Sequence, residues 1–247
     1  MELYRIQPEQ LFPRSWLPTY EKEIKAIWWQ LVQLNSNLLI LDKIVSFPFN
    51  LLQISITPFW HFVYAGLFET SVMIIWRLVD TNRKTLSFPN FKKELIGNMH
   101  KEYLARFERV LKSIDFNNTV SRIRCHIKEI RDNQLAHFNR EWIVKPPTSQ
   151  ALNERRLSLS ELKKMRDALN EIFRVFSFGT ERLLTLLEYT KGPTDVEELL
   201  DNIAKQSHLL NMPERQPGFW HHFRERLSQQ QLETFNRYRR KFGLPEA

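Results

Sequence analysis

Cysteine is nearly missing from this chain of 247 residues: Cys125 is the one copy. No intrachain disulfide can form and no thiolate zinc cluster can be assembled, so a reducing, cytoplasmic setting is expected. Glycine is scarce as well, with 6 residues. Few turn signals remain, which disfavours many short strands and favours long helices. No internal repeat, heptad array, Gly-rich phosphate loop or metal-ligand spacing occurs, and neither cofactor nor metal is expected. His221 and His222 are neighbours. On a helix they point about 100° apart, which makes a poor metal site.

Charge is absent from one long stretch. No Asp, Glu, Lys or Arg occurs from Ile44 to Phe68. A membrane-spanning helix wants about 20 predominantly apolar residues in a row. Here Pro48, Asn50, Gln53, Ser55, Thr57, Pro58 and His61 interrupt the run. It reads as two buried helices with a loop between them, and no membrane partner is expected. The first residues, M-E-L-Y-R-I-Q-P-E-Q, lack the basic start and apolar run of a signal peptide.

What is present points to a helical globular protein. Hydrophobic residues make up 43% and aromatics 13%, enough to fill a substantial core. The net charge of +8 suits polyanionic partners, nucleic acid first among them, although charge alone names no ligand. Residues 1–18 carry three prolines and read as an extended arm. A helix opens at Thr19, with Ile24, Ile27, Trp28, Leu31, Leu34, Leu38, Leu41 and Val45 on one face, and Pro48 ends it. Thr57-Pro58 starts a second helix, with Phe62, Val63, Leu67, Thr70, Ile74 and Leu78 along it. Near its end Arg77 and Asp80 are spaced to pair. A third helix is expected from about Phe91 to Ser113. A fourth runs from about Thr119, with Val120, Ile123, Ile127, Ile130 and Leu135 as its apolar positions. Ser158 and Glu161 form a capping box for a fifth helix reaching about Tyr189, and Thr194 and Glu197 form another. Gly192-Pro193 punctuates the chain. The expected organisation is an arm at 1–18, a helical bundle at 19–191 and a helical extension at 192–247. The extension ends in N-R-Y-R-R-K-F from Asn236. That segment reads as an amphipathic helix packed by Phe235, Tyr238 and Phe242, with a nucleic-acid contact as the sharper alternative.

The fourth helix carries Arg122, Arg124, His126 and Lys128 and runs into Arg131-Asp132-Asn133-Gln134-Leu135-Ala136-His137. Six residues along a helix give about 9 Å of rise and about 120° of rotation. Arg131 and His137 therefore do not stack on one face, but both can border a cleft where the helix ends. Cutting RNA with its own 2′-hydroxyl requires a proton removed, a proton delivered and a charged phosphorane stabilised. Histidine titrates near neutrality and serves as acid or base. Arginine offers a permanent planar charge matched to phosphate. One histidine does one of these proton jobs well and both poorly. A two-fold homodimer would bring two of each group to one groove. Taken alone, an Arg and a His at this spacing are as well explained by a surface charge and a helix-capping imidazole.

The R-D-N-Q-L-A-H motif resembles the signature of the HEPN superfamily. More narrowly, the chain is similar to the abortive-infection AbiU-type HEPN proteins over roughly Tyr20 to Tyr189. The likeness rests on Trp28-Trp29, the I-I-W-R-L-V-D run at Ile74 to Asp80, the motif itself and the S-L-S-E-L helix start at Ser158. The resemblance implies an all-α, HEPN-like helical bundle with a helical C-terminal extension. It also implies a dimeric, metal-independent endoribonuclease of the kind used in toxin–antitoxin or anti-phage systems, with a separately encoded antitoxin as a further partner. Carried over, the catalytic residues are Arg131, His137 and Asp132. Arg122, Arg124, Lys128 and Asn133 are the expected RNA contacts. An acid at Asp132 can orient Arg131 or His137, and it can also repel phosphate. Some HEPN proteins are inactive scaffolds, so the competing expectation is a non-catalytic helical dimer that binds RNA or a partner protein.

Overall fold

The computed structural model describes residues 6–49, 51–52, 58–131, 157–178 and 191–247. Its elements are helices: α1 (Pro8–Leu11), α2 (Leu17–Ser46), α3 (Pro58–Val79), α4 (Phe88–Asn98), α5 (Lys101–Ser113), α6 (Phe116–Ile130), α7 (Leu159–Phe176), α8 (Lys191–Gln206), α9 (Met212–Arg215), α10 (Pro217–Arg224) and α11 (Gln229–Lys241), with a 3-10 turn at His208–Asn211. No strand occurs among the described residues. The chain forms two compact units, one from residues 1–38 and 67–190, the other from 39–66 and 191–247.

The first unit is built around aromatic rings. Phe176, at the end of α7, lies 5.5–5.9 Å from the rings of Phe88, Phe91, Phe107 and Phe116. The Tyr20 hydroxyl donates to the Phe176 carbonyl at 3.0 Å, which satisfies a polar group inside this apolar centre. Phe178 takes a left-handed backbone, φ 46°, and still buries its ring against Phe12 and Phe107. Burying an aromatic ring stabilises by about 1.5–3 kcal/mol, enough to offset the roughly 1–2 kcal/mol cost of that conformation. On α2, Ile24, Ile27, Trp28, Leu31, Leu34 and Leu38 are buried, as their spacing predicts.

Several boundaries differ from the sequence expectation. The arm at 1–18 is not extended throughout: Pro8 starts a single helical turn, and Leu11 and Phe12 are buried. The expected third helix is two helices. Met99 and His100 are extended, and the His100 N–H donates to Leu11 O at 2.9 Å. Gly97 and Asn98, weak helix formers, precede the break, and the tertiary bond to the arm replaces the lost helical one. Arg77 and Asp80 do not pair. Asp80 instead accepts from Asn82 N–H at 3.1 Å and Thr85 Oγ1 at 3.0 Å, closing the turn after α3. The Ser158–Glu161 capping box is present. The Thr194–Glu197 box is not, because α8 already begins at Lys191. Pro193 is tolerated in that first turn, where N–H groups have no helical partner.

In the second unit, Leu41, Ile44, Phe47, Phe49, Leu51, Leu52 and Trp60 are buried, but Val45, Phe59 and Phe62 are exposed. The expectation of two buried helices across residues 44–68 therefore fails for the start of α3. The apolar stripe of α2 passes through Ile44, which leaves Val45 one position, about 100°, off the buried face. Among the described residues Phe59–Val79 is long and apolar enough to cross a membrane by length and composition, a test that core helices also pass. Its later part, Ser71, Val72, Ile74, Ile75, Leu78 and Val79, is buried in the protein.

Candidate nucleic-acid interface

α6 is an amphipathic helix with Phe116, Val120, Ile123, Ile127 and Ile130 buried. It opens after Asp115, whose left-handed backbone (φ 48°) turns the chain out of α5. At its far end Arg131 keeps a helical conformation, and its N–H donates to the carbonyls of Ile127 and Lys128. A cation there is favoured by the negative end of the helix dipole.

The Arg131 guanidinium lies over the indole of Trp76 on α3, 3.7 Å from the ring centroid. Both residues are half-buried. The planar cation stacks on the negative face of the ring, which fixes the position of a charge that a long side chain would otherwise scatter. In the sequence Trp76 is one residue of the I-I-W-R-L-V-D run, with nothing nearby to mark a role. Its contact with the motif arginine depends on how α3 packs beside α6, and no local spacing reports that.

The expected RNA contacts divide by helical angle. Arg124 is two turns before Arg131, about 10.5 Å along the axis and within about 20° in rotation. Arg124 is half-buried, and Lys128, between them, is exposed. These three cations border one side of the buried face. Arg122 is exposed and points about 180° away from Arg131. Asp132, Asn133 and His137 lie outside the described residues.

Beside Arg124 a cleft of about 250 Å³ opens between α4 and α6, lined by Thr81, Pro89, Lys92, Lys93, Phe116, Asn117, Val120, Ser121 and Arg124. Lys92 donates to Asn117 Oδ1 at 2.9 Å, and its ammonium lies 5.0 Å from the Phe116 ring centroid. Burial, partly countered by Glu108 and reinforced by the neighbouring Lys93, lowers the Lys92 pKa below the ordinary lysine value.

Of the four cations in the basic C-terminal segment, Arg239, Arg240 and Lys241 have carboxylate partners. Arg239 is fully buried and donates to the Glu214 carboxylate and to the carbonyls of Leu210 and Pro245. Arg240 pairs with Glu246 at 3.2 Å, and Lys241 with Asp201 at 2.7 Å. Phe235 is buried against Trp220, with ring centroids 4.7 Å apart. The packed-helix reading of this segment therefore fits its geometry, and Arg239 is closed to nucleic acid. Among the described residues no group of three or more His, Cys, Asp or Glu could hold a metal ion.

A family model described as AbiU2, of the HEPN class, matches residues 25–182. The match takes in Phe88, Phe91, Phe107, Phe116 and Phe176 of the aromatic core, Trp76, all of α6 and the whole R-D-N-Q-L-A-H motif. No curated protein matches the chain, and no solved structure does.

Proposed function

Because the chain belongs to the AbiU2 family of HEPN proteins, we propose that it is a metal-independent endoribonuclease acting as a toxin or anti-phage effector at a site shared by two copies of the chain. The observation that carries this reading is Arg131: the first residue of the family motif is a guanidinium held on Trp76 at the end of a helix with a cationic border. The His137 imidazole takes the proton of the attacking 2′-hydroxyl. The 2′-oxygen bonds to phosphorus as the bond to the 5′-oxygen breaks, and the partner subunit's His137, as imidazolium, protonates that leaving oxygen. Arg131 stabilises charge on the non-bridging oxygens throughout. The products are a 2′,3′-cyclic phosphate and a free 5′-hydroxyl. Asp132 is assigned the task of orienting Arg131 or His137, and Asn133 a contact to the strand.

In an RNA cleavage assay with EDTA present, the wild type is expected to cut and to leave cyclic phosphate ends. The His137→Ala chain is expected to bind RNA but yield no product. Equal cutting by the two proteins would overturn the assignment. A second reading, a non-catalytic dimer that binds RNA or a partner protein, draws on Asp132, since an acid beside the phosphate site repels substrate. It predicts that Arg131→Ala weakens binding and that no condition gives a cut product.

A further inference from the structure

We infer that the cleft between α4 and α6 is a phosphate-binding subsite, in which Lys92, Lys93 and Arg124 hold a backbone phosphate of single-stranded RNA about two helical turns from Arg131. The inference rests on RNA being the ligand of the Arg131 site. Lys92 and Lys93 belong to α4 and stand outside the basic run of α6, so no motif in the sequence joins them to Arg124.

The cleft brings three cations together with neutral donors: Lys92, Lys93 and Arg124 line it beside Thr81, Asn117 and Ser121, with Pro89, Phe116 and Val120 as its apolar lining. Among the described residues no carboxylate forms a salt bridge with Lys92, Lys93 or Arg124. The Lys92 ammonium is fixed by a neutral amide, Asn117, and by a ring face rather than by an acid. Lys92 is partly removed from water, with Glu108 near enough to offset some of that cost but not paired with it, and such a cation gains from an arriving anion. The contrast lies within the same protein: Lys43, Lys241 and Arg239 are paired with Glu197, Asp201 and Glu214. Helix geometry then supplies the direction. Arg124, Lys128 and Arg131 follow the same border of α6 over about 10.5 Å, so a strand anchored in the cleft is led along Lys128 to Arg131.

The test is the salt dependence of RNA binding by the full chain. The probe is a fluorescent single-stranded 2′-O-methyl RNA, which lacks the nucleophile and reports binding without turnover. Each phosphate contact contributes about 0.7 to the slope of log affinity against log salt. The Lys92→Gln/Arg124→Gln variant is expected to bind roughly tenfold more weakly at low salt and to lose about 0.7 from that slope, the share of the one phosphate held in the cleft. Lys92→Arg with Arg124→Lys restores both. Lys22→Gln with Lys25→Gln, a charge-matched change at exposed positions on α2, leaves the slope nearer the wild type. Should the first variant melt early, Lys93→Gln is used instead, because that side chain is exposed, and it must lower the slope as well, by up to about 0.7. A slope unchanged in the cleft variants, or a wild type that binds no RNA, overturns the subsite. Cleavage of unmodified RNA is scored separately. If the wild type does not cut but the cleft variants lower the slope, the nuclease reading falls and the subsite stands. If it cuts and the slope is unmoved, the reverse holds.

Discussion

A guanidinium on a long flexible stem serves as a phosphate clamp only when something holds it still, and for Arg131 that support is the Trp76 indole. Such a stack stabilises by about 0.5–2 kcal/mol. At about 1.4 kcal/mol per tenfold, Trp76→Ala is expected to lower kcat/KM for RNA by roughly twofold to thirtyfold. Trp76→Phe keeps a ring face and most of the activity. Steady-state cleavage rates check this, and an unaffected Trp76→Ala would reduce the stack to packing. At this scale the sequence was readable where chemistry is written consecutively. Arg131, Asp132 and His137 share one short motif, so their candidacy needs no fold. The Trp76 support and the Lys92–Arg124 cleft each join residues on different helices, and composition carries no trace of such a meeting.

Helices were the most legible elements and their ends the least. The periodicity from Ile24 to Leu41 marks buried positions faithfully because a helix keeps one face to its core. The break at Met99–His100 was hidden because a tertiary hydrogen bond to Leu11 replaces a helical one. α11 shows the same limit for charge. Its R-Y-R-R-K run looks like a basic surface, yet Arg239 is fully buried because Glu214 and two carbonyls reach it. Removing one partner of a buried charge is costly. The Glu214 side chain is 45% exposed and Arg239 keeps two carbonyl acceptors, so Glu214→Ala is expected to destabilise the protein by about 1–2 kcal/mol at neutral pH, read by denaturant unfolding. The sign with pH follows from the Glu214 carboxyl, which its hydrogen bonds from Arg239 hold below the ordinary value of 4.5. A depressed carboxyl contributes stability above its unfolded pKa and loses it as pH falls through the folded one. Glu197, lowered chiefly by its bond from Lys43, and Glu161, lowered chiefly by Ser158 N–H, act in the same direction. Glu23, raised by burial, opposes them. Wild-type stability should therefore drop below about pH 4.5, and the gap between wild type and Glu214→Ala should narrow there. A gap that stays constant into acid would show that the ion pair contributes nothing.

At the scale of the whole chain, family membership and an all-helical fold were both readable: the family through ordered landmarks, the fold through scarce glycine and long apolar periods. The grouping of residues 39–66 with 191–247 was not. It depends on contacts such as Ser207 Oγ donating to Leu52 O at 3.0 Å and Lys43 pairing with Glu197 at 2.8 Å, which join segments far apart in sequence. The central claim also concerns more than one chain, because a single histidine cannot comfortably both remove and deliver a proton in one displacement. The most direct measurement mixes wild-type chains with His137→Ala chains in varied proportion, after unfolding and refolding them together, and assays RNA cleavage in EDTA. A mixed dimer then carries one imidazole in the groove, too few for both proton transfers. The account predicts that cleavage falls as about the square of the wild-type fraction. Cleavage that falls in simple proportion to the wild-type fraction would contradict a groove shared between subunits.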